Sequence, residues 1–598
     1  MHYLKFIFIC FFILYSCSKD SIINENLVEY NSINTTSRSI NNYNIYDTLK
    51  NPYEINHIKN VVNSVGGDSS LYLPNKLYVR FLPKDTNEIN LLINIDNLEL
   101  FDYPLNIDFG EADEYIYQQE DNNFFTWKYT VVPANYTFRD IEYEIIEQCY
   151  LPEDDEAIAN SRNPFGPNLE ELAFKRLGYN LDSINESRSQ NNPSGYVTFE
   201  DNQTNRKIPL KGIKIRCHTF IKWSTTYTDE NGKYTMSSKF IFGPHYAIVF
   251  DNCKGFDIYK NWTPIARANF NAGWHSISGY DINIKPSSTL WPCAVINNAG
   301  YDYYNMCDSL NIAIPPKNLV IWAYDNIPSA APMLNHNKDF IKANGHSQCA
   351  NFFINMGLLI AQLNPIVVLL KNIAPDINIK TEPRDYKNIY KNTFHELSHA
   401  SHYSIVGNSF WSRYISYIIT YGNSNSFYGD GHGKDSELCA IGEMWGYFIG
   451  YCARKELESP ITPDMDYPGS KYWFSPEIYW NLYRSKILTK REIFKCMKPN
   501  IDTYNKLLNE LRYCYPGQIF HIEKEFYNNG ICMEYLNFNF NEIFQSLYIP
   551  NNRVIYGYNP IITDGYITNN SLLEIGATET VTICSPFTVS SGSSIIIY

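Results

Sequence analysis

Basic residues are scarce and nowhere clustered. Lysine and arginine number 49 against 63 aspartates and glutamates, giving a formal net charge of −14 at pH 7. Without a basic run there is no footprint for a phosphate backbone. That excludes nucleic acid as a partner, and with it attraction to an anionic membrane surface. Paired cysteines are missing too. The fourteen cysteines are scattered without a CxxC, which excludes a cysteine-built zinc cluster and names no disulfide partners. The long apolar stretch "CANFFINMGLLIAQLNPIVVLLKNI" carries Asn355, Gln362 and Asn364 and breaks at Pro365. It reads as buried helix rather than a membrane span. Histidine is rare, with 12 in 598 residues, so a cluster of it carries weight.

What is present is apolar and aromatic. Hydrophobic residues make up 44% of the chain, with 49 Tyr and 34 Phe, enough for real cores and unlike a disordered chain. The length suggests about four domains at ~150 residues each.

The chain opens "MHYLKFIFICFFILYSCSKD", with Lys5 ahead of a short apolar run from Phe6 to Tyr15. That run is too short to span a bilayer and suits an export signal. Its end, "LYSC", resembles a bacterial lipobox. The resemblance implies that Cys17 becomes the lipidated first residue of an outer-membrane lipoprotein in the cell envelope, exposed at the surface or held beneath it. A lipid anchor would then hold the protein to a membrane. The plain alternative is a cleaved signal peptide with an incidental cysteine.

Residues 18–60 are rich in Asn, Ser, Thr and Ile and read as a tether. Residues 61–190 read as a small α+β domain. "LYVRFLP", "LELFDYPLNI" and "FFTWKYTVV" are its strands, "FRDIEYEIIEQCY" is a helix or a last strand, and "NLEELAFKRLGYN" is a helix. Residues 193–262 read as all-β, with "GYVTFED" and "PLKGIKIRC" as strands. "TYTDENGKYTM" reads as a hairpin turning on Asn231-Gly232. Gly195, Val197, Pro209, Leu210, Gly212, Ile213, Thr228, Asp229, Gly232 and Tyr234 carry a pattern that resembles the carboxypeptidase regulatory-like domain. The resemblance implies a β-sandwich that spaces or packs and carries no chemistry.

Residues 265–540 mix strands ("NLVIWAYD", "PDINIKT") with helices. In the tail, 541–598, "GYITNNSLLEIG" and "PFTVSSGSSIIIY" are related units roughly 22 residues apart, which predicts a short β-solenoid-like cap.

The chemistry concentrates in "NTFHELSHASHYSIVG", residues 392–407. The spacing predicts a helix starting near Asp385 and ending at Gly407. His395 and His399 lie one turn apart on one face, so both imidazoles can bind one zinc ion. Glu396 then reaches metal-activated water as general base for attack on a carbonyl. A catalytic zinc needs a third protein ligand. His402 shares the face, but three histidines strung along a straight helix cannot easily converge on one ion. It reads as a residue supporting the site or as an exposed one. The segment "DSELCAIGEMWGYFIG", residues 435–450, reads as a second helix holding two acids. Glu437 in its first turn suits the helix dipole. Glu443 sits mid-helix among apolar residues, where a carboxylate is costly without a cation. Cys439, Gly446 and Gly450 make that face small enough for close helix approach. The argument favours Glu443 and leaves Glu437 open.

HELSH followed by a helical glutamate resembles the gluzincin class of zinc peptidases. "HELSHASHY" with "CAIGEMWGY" resembles the zinc-metallopeptidase lipoproteins of Bacteroidota-type bacteria. The resemblance covers about residues 265–500. It implies a mainly helical, zincin-like catalytic domain with Zn²⁺ held by His395, His399 and Glu443, and Glu396 as general base. Thermolysin-like members place an aspartate four residues after the ligand glutamate. Here Tyr447 stands there, so the group orienting the ligands is left open. His432, Tyr428 and Tyr421 are candidate donors to a developing oxyanion. "DINIK" is a candidate edge strand for an extended peptide.

The whole reads as a multidomain α+β zinc peptidase acting on a peptide or protein substrate. A cell-surface binding or adhesion protein with a structural or degenerate zinc site is the rival. Glycan processing is weaker, since no carboxylate pair points to it.

Overall fold

Most strands form where the alternating pattern predicts them, but their partners cross the expected domain boundaries. A computed structural model describes residues 47–597, apart from 94, 96–97, 109, 111–113, 116–124, 155–168, 182–191, 261–266, 357–362, 424–425, 459–471, 533–542, 545–546, 550, 552, 558–559 and 578–579. The expected signal peptide, Cys17 and residues 18–46 of the tether lie outside the described residues. The fold is mixed α+β, with several sheets and many helices.

The N-terminal part begins with helix α1 (Ile55–Ser64), which the Glu54 side chain caps by accepting from the Asn56 and His57 N–H groups. The helix therefore starts inside the stretch expected to be tether. Strands β1 (Lys76–Phe81), β2 (Lys128–Pro133) and β3 (Glu144–Cys149) form an antiparallel sheet with β1 in the centre. The "EYEIIEQC" stretch is thus a strand, not a helix. "LELFDYPLNI" makes a single bridge at Phe101 and a two-residue strand, Ile107–Asp108, instead of a long strand. Helix α2 (Leu169–Arg176) packs with α1 around Ile58, Val62 and Ala173.

The middle of the chain builds two sheets from β4 (Ser194–Glu200), β5 (Lys207–Pro209), β6 (Ile213–Thr219), β7 (Lys222–Tyr227), β8 (Lys233–Thr235), β9 (His245–Asn252), β10 (Phe256–Tyr259), β11 (Asn269–Trp274) and β12 (Ile282–Ile284). In the smaller sheet β8 and β5 pair along β4, and β12 runs parallel on its other side. The strands flanking Asn231-Gly232 do not form the predicted hairpin. Gly232 has φ +73 and the Asp229 side chain accepts the Asn231 and Lys233 N–H groups. Beyond that turn β7 and β8 enter different sheets, so the turn is an arch between layers.

The larger sheet continues past the expected boundary at 262. Its order is β14–β13–β10–β9–β6–β7, with β11 also on β9. Here β13 is Leu319–Tyr324 and β14 is Ile377–Lys380. β10, β13 and β14 run parallel. The expected β-sandwich and the expected catalytic region therefore share one sheet. One continuous apolar core joins Ile89 and Phe125 to residues from Val197 to Phe526. The strands of 193–262 complete their pairing with residues 269–380, so the expected sandwich is continuous with the sheets that follow it.

Helix α3 (Trp291–Leu310) packs on β9 and on the kinked helix α4 (Tyr386–Tyr421), α4 packs against β14, and α5 (Ser436–Glu458) packs on α4. Tyr303 on α3 donates to the Ser401 hydroxyl on α4 at 2.8 Å. The apolar stretch at 349–373 supplies helices His346–Asn355 and Leu363–Asn372, with Pro365 in the first turn of the second. No described helix is long and apolar enough to cross a membrane. Helices α6 (Glu477–Arg484), α7 (Lys490–Lys495), α8 (Tyr504–Cys514) and α9 (Ile519–Asn528) follow.

The tail forms three parallel three-stranded sheets. Each takes one strand from each of three successive coils, such as Leu547–Ile549, Gly565–Ile567 and Phe587–Val589. Ile549, Ile555, Ile567 and Ile575 fill the interior. The two expected units are three coils.

Candidate metal centre

Helix α4 is capped by Asp385, whose side chain accepts the Asn388 N–H at 2.7 Å. It breaks at Gly407, where φ is 72° and ψ −173°, a conformation a side chain would strain. The chain turns back there. On an unbroken helix, twelve residues would set His399 and Trp411 about 18 Å apart. Their rings are 5.9 Å apart, and Tyr414 lies 6.1 Å from His399.

Helix α5 crosses the first half of α4. His395 Nε2 and His399 Nε2 are 3.1 Å apart. Glu443 brings Oε2 to 3.5 Å from His395 Nε2 and Oε1 to 3.4 Å from His399 Nε2. Tetrahedral coordination at about 2.0–2.1 Å places neighbouring donors about 3.3 Å apart; the imidazole pair sits near that value, and each imidazole has a different Glu443 oxygen at a similar distance. His395, His399 and Glu443 could therefore hold one zinc-sized cation.

The close crossing depends on glycine. A Cβ on Gly446 would lie 2.8 Å from both imidazole Nε2 atoms, and one on Gly450 would lie 3.0 Å from the Lys391 carbonyl oxygen. Buried Glu443 Oε2 has no hydrogen-bond partner, and neither does His399 Nδ1. An unpaired buried carboxylate oxygen is costly, and a cation between the imidazoles would satisfy it.

The electrostatics suit ligation. Burial pushes the His395 imidazole down to about 4 despite its contact with Glu443, so it stays neutral, the form that binds a metal. Burial alone would raise Glu443, but the His399 and His395 imidazoles outweigh it and hold the carboxyl below the usual range. Glu396 is pushed the other way, by burial first and by the Glu443 charge second, with Lys391 opposing.

The remaining candidates separate clearly. Glu437 does not reach the imidazoles; it accepts the Tyr504 N–H at 2.6 Å and so ties α5 to α8. His402 is not exposed. It is fully buried against Phe410 and Trp411, with neither ring nitrogen hydrogen-bonded. His432 is solvent-exposed, with its backbone N–H on Asp430, and Tyr421 is 39% exposed. Tyr428 and Tyr447 are the phenols against the site. The Tyr447 ring stands perpendicular to His395 at 4.6 Å and packs on the rings of Tyr428 and Tyr472. Sequence reasoning missed Tyr414, whose hydroxyl donates to Glu443 Oε1. Its only signal was a place on the helix after Gly407.

The strand "DINIK" is an edge, but an occupied one. Ala330 exchanges both backbone hydrogen bonds with Asn378, and Ser329 Oγ accepts the Lys380 N–H. The chain's own 329–330 segment takes the place proposed for a peptide.

No family model matches the chain, and no curated protein matches it. Among solved structures, a 9R-lipoxygenase from Cyanothece PCC8801 is 13% identical over 23% of this chain and 27% of that one. Its TM-score is 0.10, at which the likeness carries no argument.

Proposed function

We propose that the chain is an exported, lipid-anchored zinc-dependent peptidase of gluzincin type. His395, His399 and Glu443 hold the metal, and Glu396 is the general base toward a peptide or protein substrate. The observation that carries the reading is the meeting of two imidazoles and one carboxylate, with the two Nε2 atoms 3.1 Å apart and each within 3.5 Å of a Glu443 oxygen, and a second acid, Glu396, on the turn between the histidines. Zinc bound there supplies Lewis acidity that polarises a carbonyl and lowers the pKa of nearby water to ~7.

The chain's own groups divide the rest of the work. Glu396 accepts the proton of the attacking water at its carboxylate and passes it to the leaving amine. Burial and the Glu443 charge raise its affinity for that proton. Tyr414 fixes the Glu443 carboxylate, and neutral His395 keeps its lone pair available. Tyr428 and Tyr447 are the phenols within reach for orienting a substrate carbonyl. Export and lipidation rest on the N-terminal pattern that ends at Cys17.

One observation favours the rival. His399 and Glu443 are each 1% exposed, and Tyr472 packs on Tyr428 and Tyr447. A closed site suits a structural metal in a surface-binding protein. Zinc analysis of the purified chain tests the shared premise. Wild type and Glu437→Ala retain a stoichiometric ion and Glu443→Ala loses it. Equal zinc in all three overturns the ligand set.

A further inference from the structure

One other described set of side chains brings metal- or redox-active atoms together. Cys496 is the C-cap of α7, and Glu510 and Cys514 lie in the last turns of α8. Their donor atoms all fall within 4.8 Å of one another. A cation is disfavoured there. Glu510 is already neutralised by Lys498, whose Nζ lies 2.5 Å from Oε1. That same oxygen accepts from Cys514 Sγ at 3.2 Å. What remains is two thiols whose sulfurs lie within 4.8 Å of each other. Sulfurs at that range, on two elements joined by a loop, are brought to the ~2.05 Å of a bond by side-chain rotation where their Cα atoms lie within ~7 Å.

We propose that Cys496 and Cys514 form a disulfide in the exported protein. The inference rests on export to an oxidising compartment and is independent of the metal reading. The oxidant is an exogenous disulfide, R–S–S–R. One cysteine thiolate attacks it and releases R–S⁻. The second cysteine then displaces the other R–S⁻ from the mixed disulfide. The two protons and two electrons leave as two R–SH, and one Sγ–Sγ bond forms. Burial, with the Glu510 carboxylate adding to it, holds both thiols protonated in the finished fold. The exchange therefore takes place while the segment is still opening and closing during folding.

The bond closes a loop of nineteen residues, 496–514, over the outer side of α5. Just before that loop, Phe494 packs on Trp445 at 5.0 Å, and the loop itself holds α5 in two ways. The Tyr504 N–H donates to Glu437. Arg413 bridges Asp435 and Asp502. The cross-link thus fastens the support of the helix that carries Glu443, and restricting the unfolded loop stabilises it.

The test uses the full chain exported through an oxidising periplasm. It is alkylated without reduction, digested with trypsin and read by mass spectrometry. The expected major species links peptide 496–506 to peptide 513–524. It disappears after reduction and is absent from Cys514→Ser. Reductant lowers the melting temperature of wild type by a few degrees and leaves that of Cys514→Ser unmoved. Recovery of both peptides mostly as alkylated free thiols, or a link from either one to another cysteine, overturns the proposal.

Discussion

The Tyr414 hydroxyl donates to Glu443 Oε1, and its ring lies beside His399. Residues on two helices are thereby joined to a third element, the return helix beyond Gly407. Tyr414 is a positioning residue: it fixes which carboxylate oxygen faces His399. Tyr414→Phe keeps the packing and removes that bond. The expected result is a ~10–100-fold weaker zinc affinity in a chelator competition with the fold retained. Unchanged affinity would remove Tyr414 from the account.

Gly446 marks where the metal must sit. Gly446→Ala puts a methyl 2.8 Å from both Nε2 atoms and should expel the ion, with an overpacking cost of about 1–3 kcal/mol. Gly450→Ala is the control. Its methyl meets the Lys391 carbonyl oxygen and His395 Cβ but not the ring nitrogens, so it costs stability and keeps zinc. Metal analysis and urea midpoints of the two variants separate the effects, and equal zinc loss in both contradicts the placement.

His402 gives the protein an acid sensitivity. Burial first, and His399 second, push its imidazole down to about 3. The folded value lies below the ordinary 6.5, so between those pH values the unfolded chain binds a proton that the folded chain refuses. Stability is unaffected above pH 6.5 and falls as the pH drops through this window, by about 1.4 kcal/mol per unit. His402→Leu should flatten the decline of the urea midpoint between pH 6.5 and pH 4.5. His245, also pushed down to about 3 by burial, leaves a remaining slope. Parallel pH profiles for variant and wild type would show that His402 does not titrate this way.

Glu437 has a structural task. Glu437→Ala leaves the Tyr504 N–H without its acceptor. Unfolding measurements should show a loss of about 1–3 kcal/mol, with zinc stoichiometry unchanged. Zinc loss without a stability change would reverse the roles of the two glutamates.

Much of the site was legible because it is local. His395 and His399 are one turn apart by helix geometry. Asp385 and Gly407 carry the chemistry of a start and a stop. Glu443 stood out as a charge at a buried helical position, and Gly446 and Gly450 as room for a neighbour. Tyr414 was illegible because the return angle after Gly407 is set by Trp411 packing against His399 and His402, which no periodicity encodes. The shared sheet was missed for a related reason. β10, β13 and β14 are far apart in sequence, and a strand's pattern does not name its partner. An Asn-Gly turn serves a hairpin and an arch equally well, so Gly232 could not announce that β7 and β8 part company. The cover on "DINIK" comes from 329–330, a stretch with no strand pattern of its own.

The central claim is that Glu396 moves a proton for a metal-assisted hydrolysis. It is tested most directly by cleavage of a broad peptide library by the zinc-loaded wild type and by Glu396→Gln. The account predicts turnover by wild type and a loss of at least ~10²-fold in the variant, with zinc bound equally in both. Zinc-loaded wild type that cleaves nothing, or a variant as active as wild type, would contradict it.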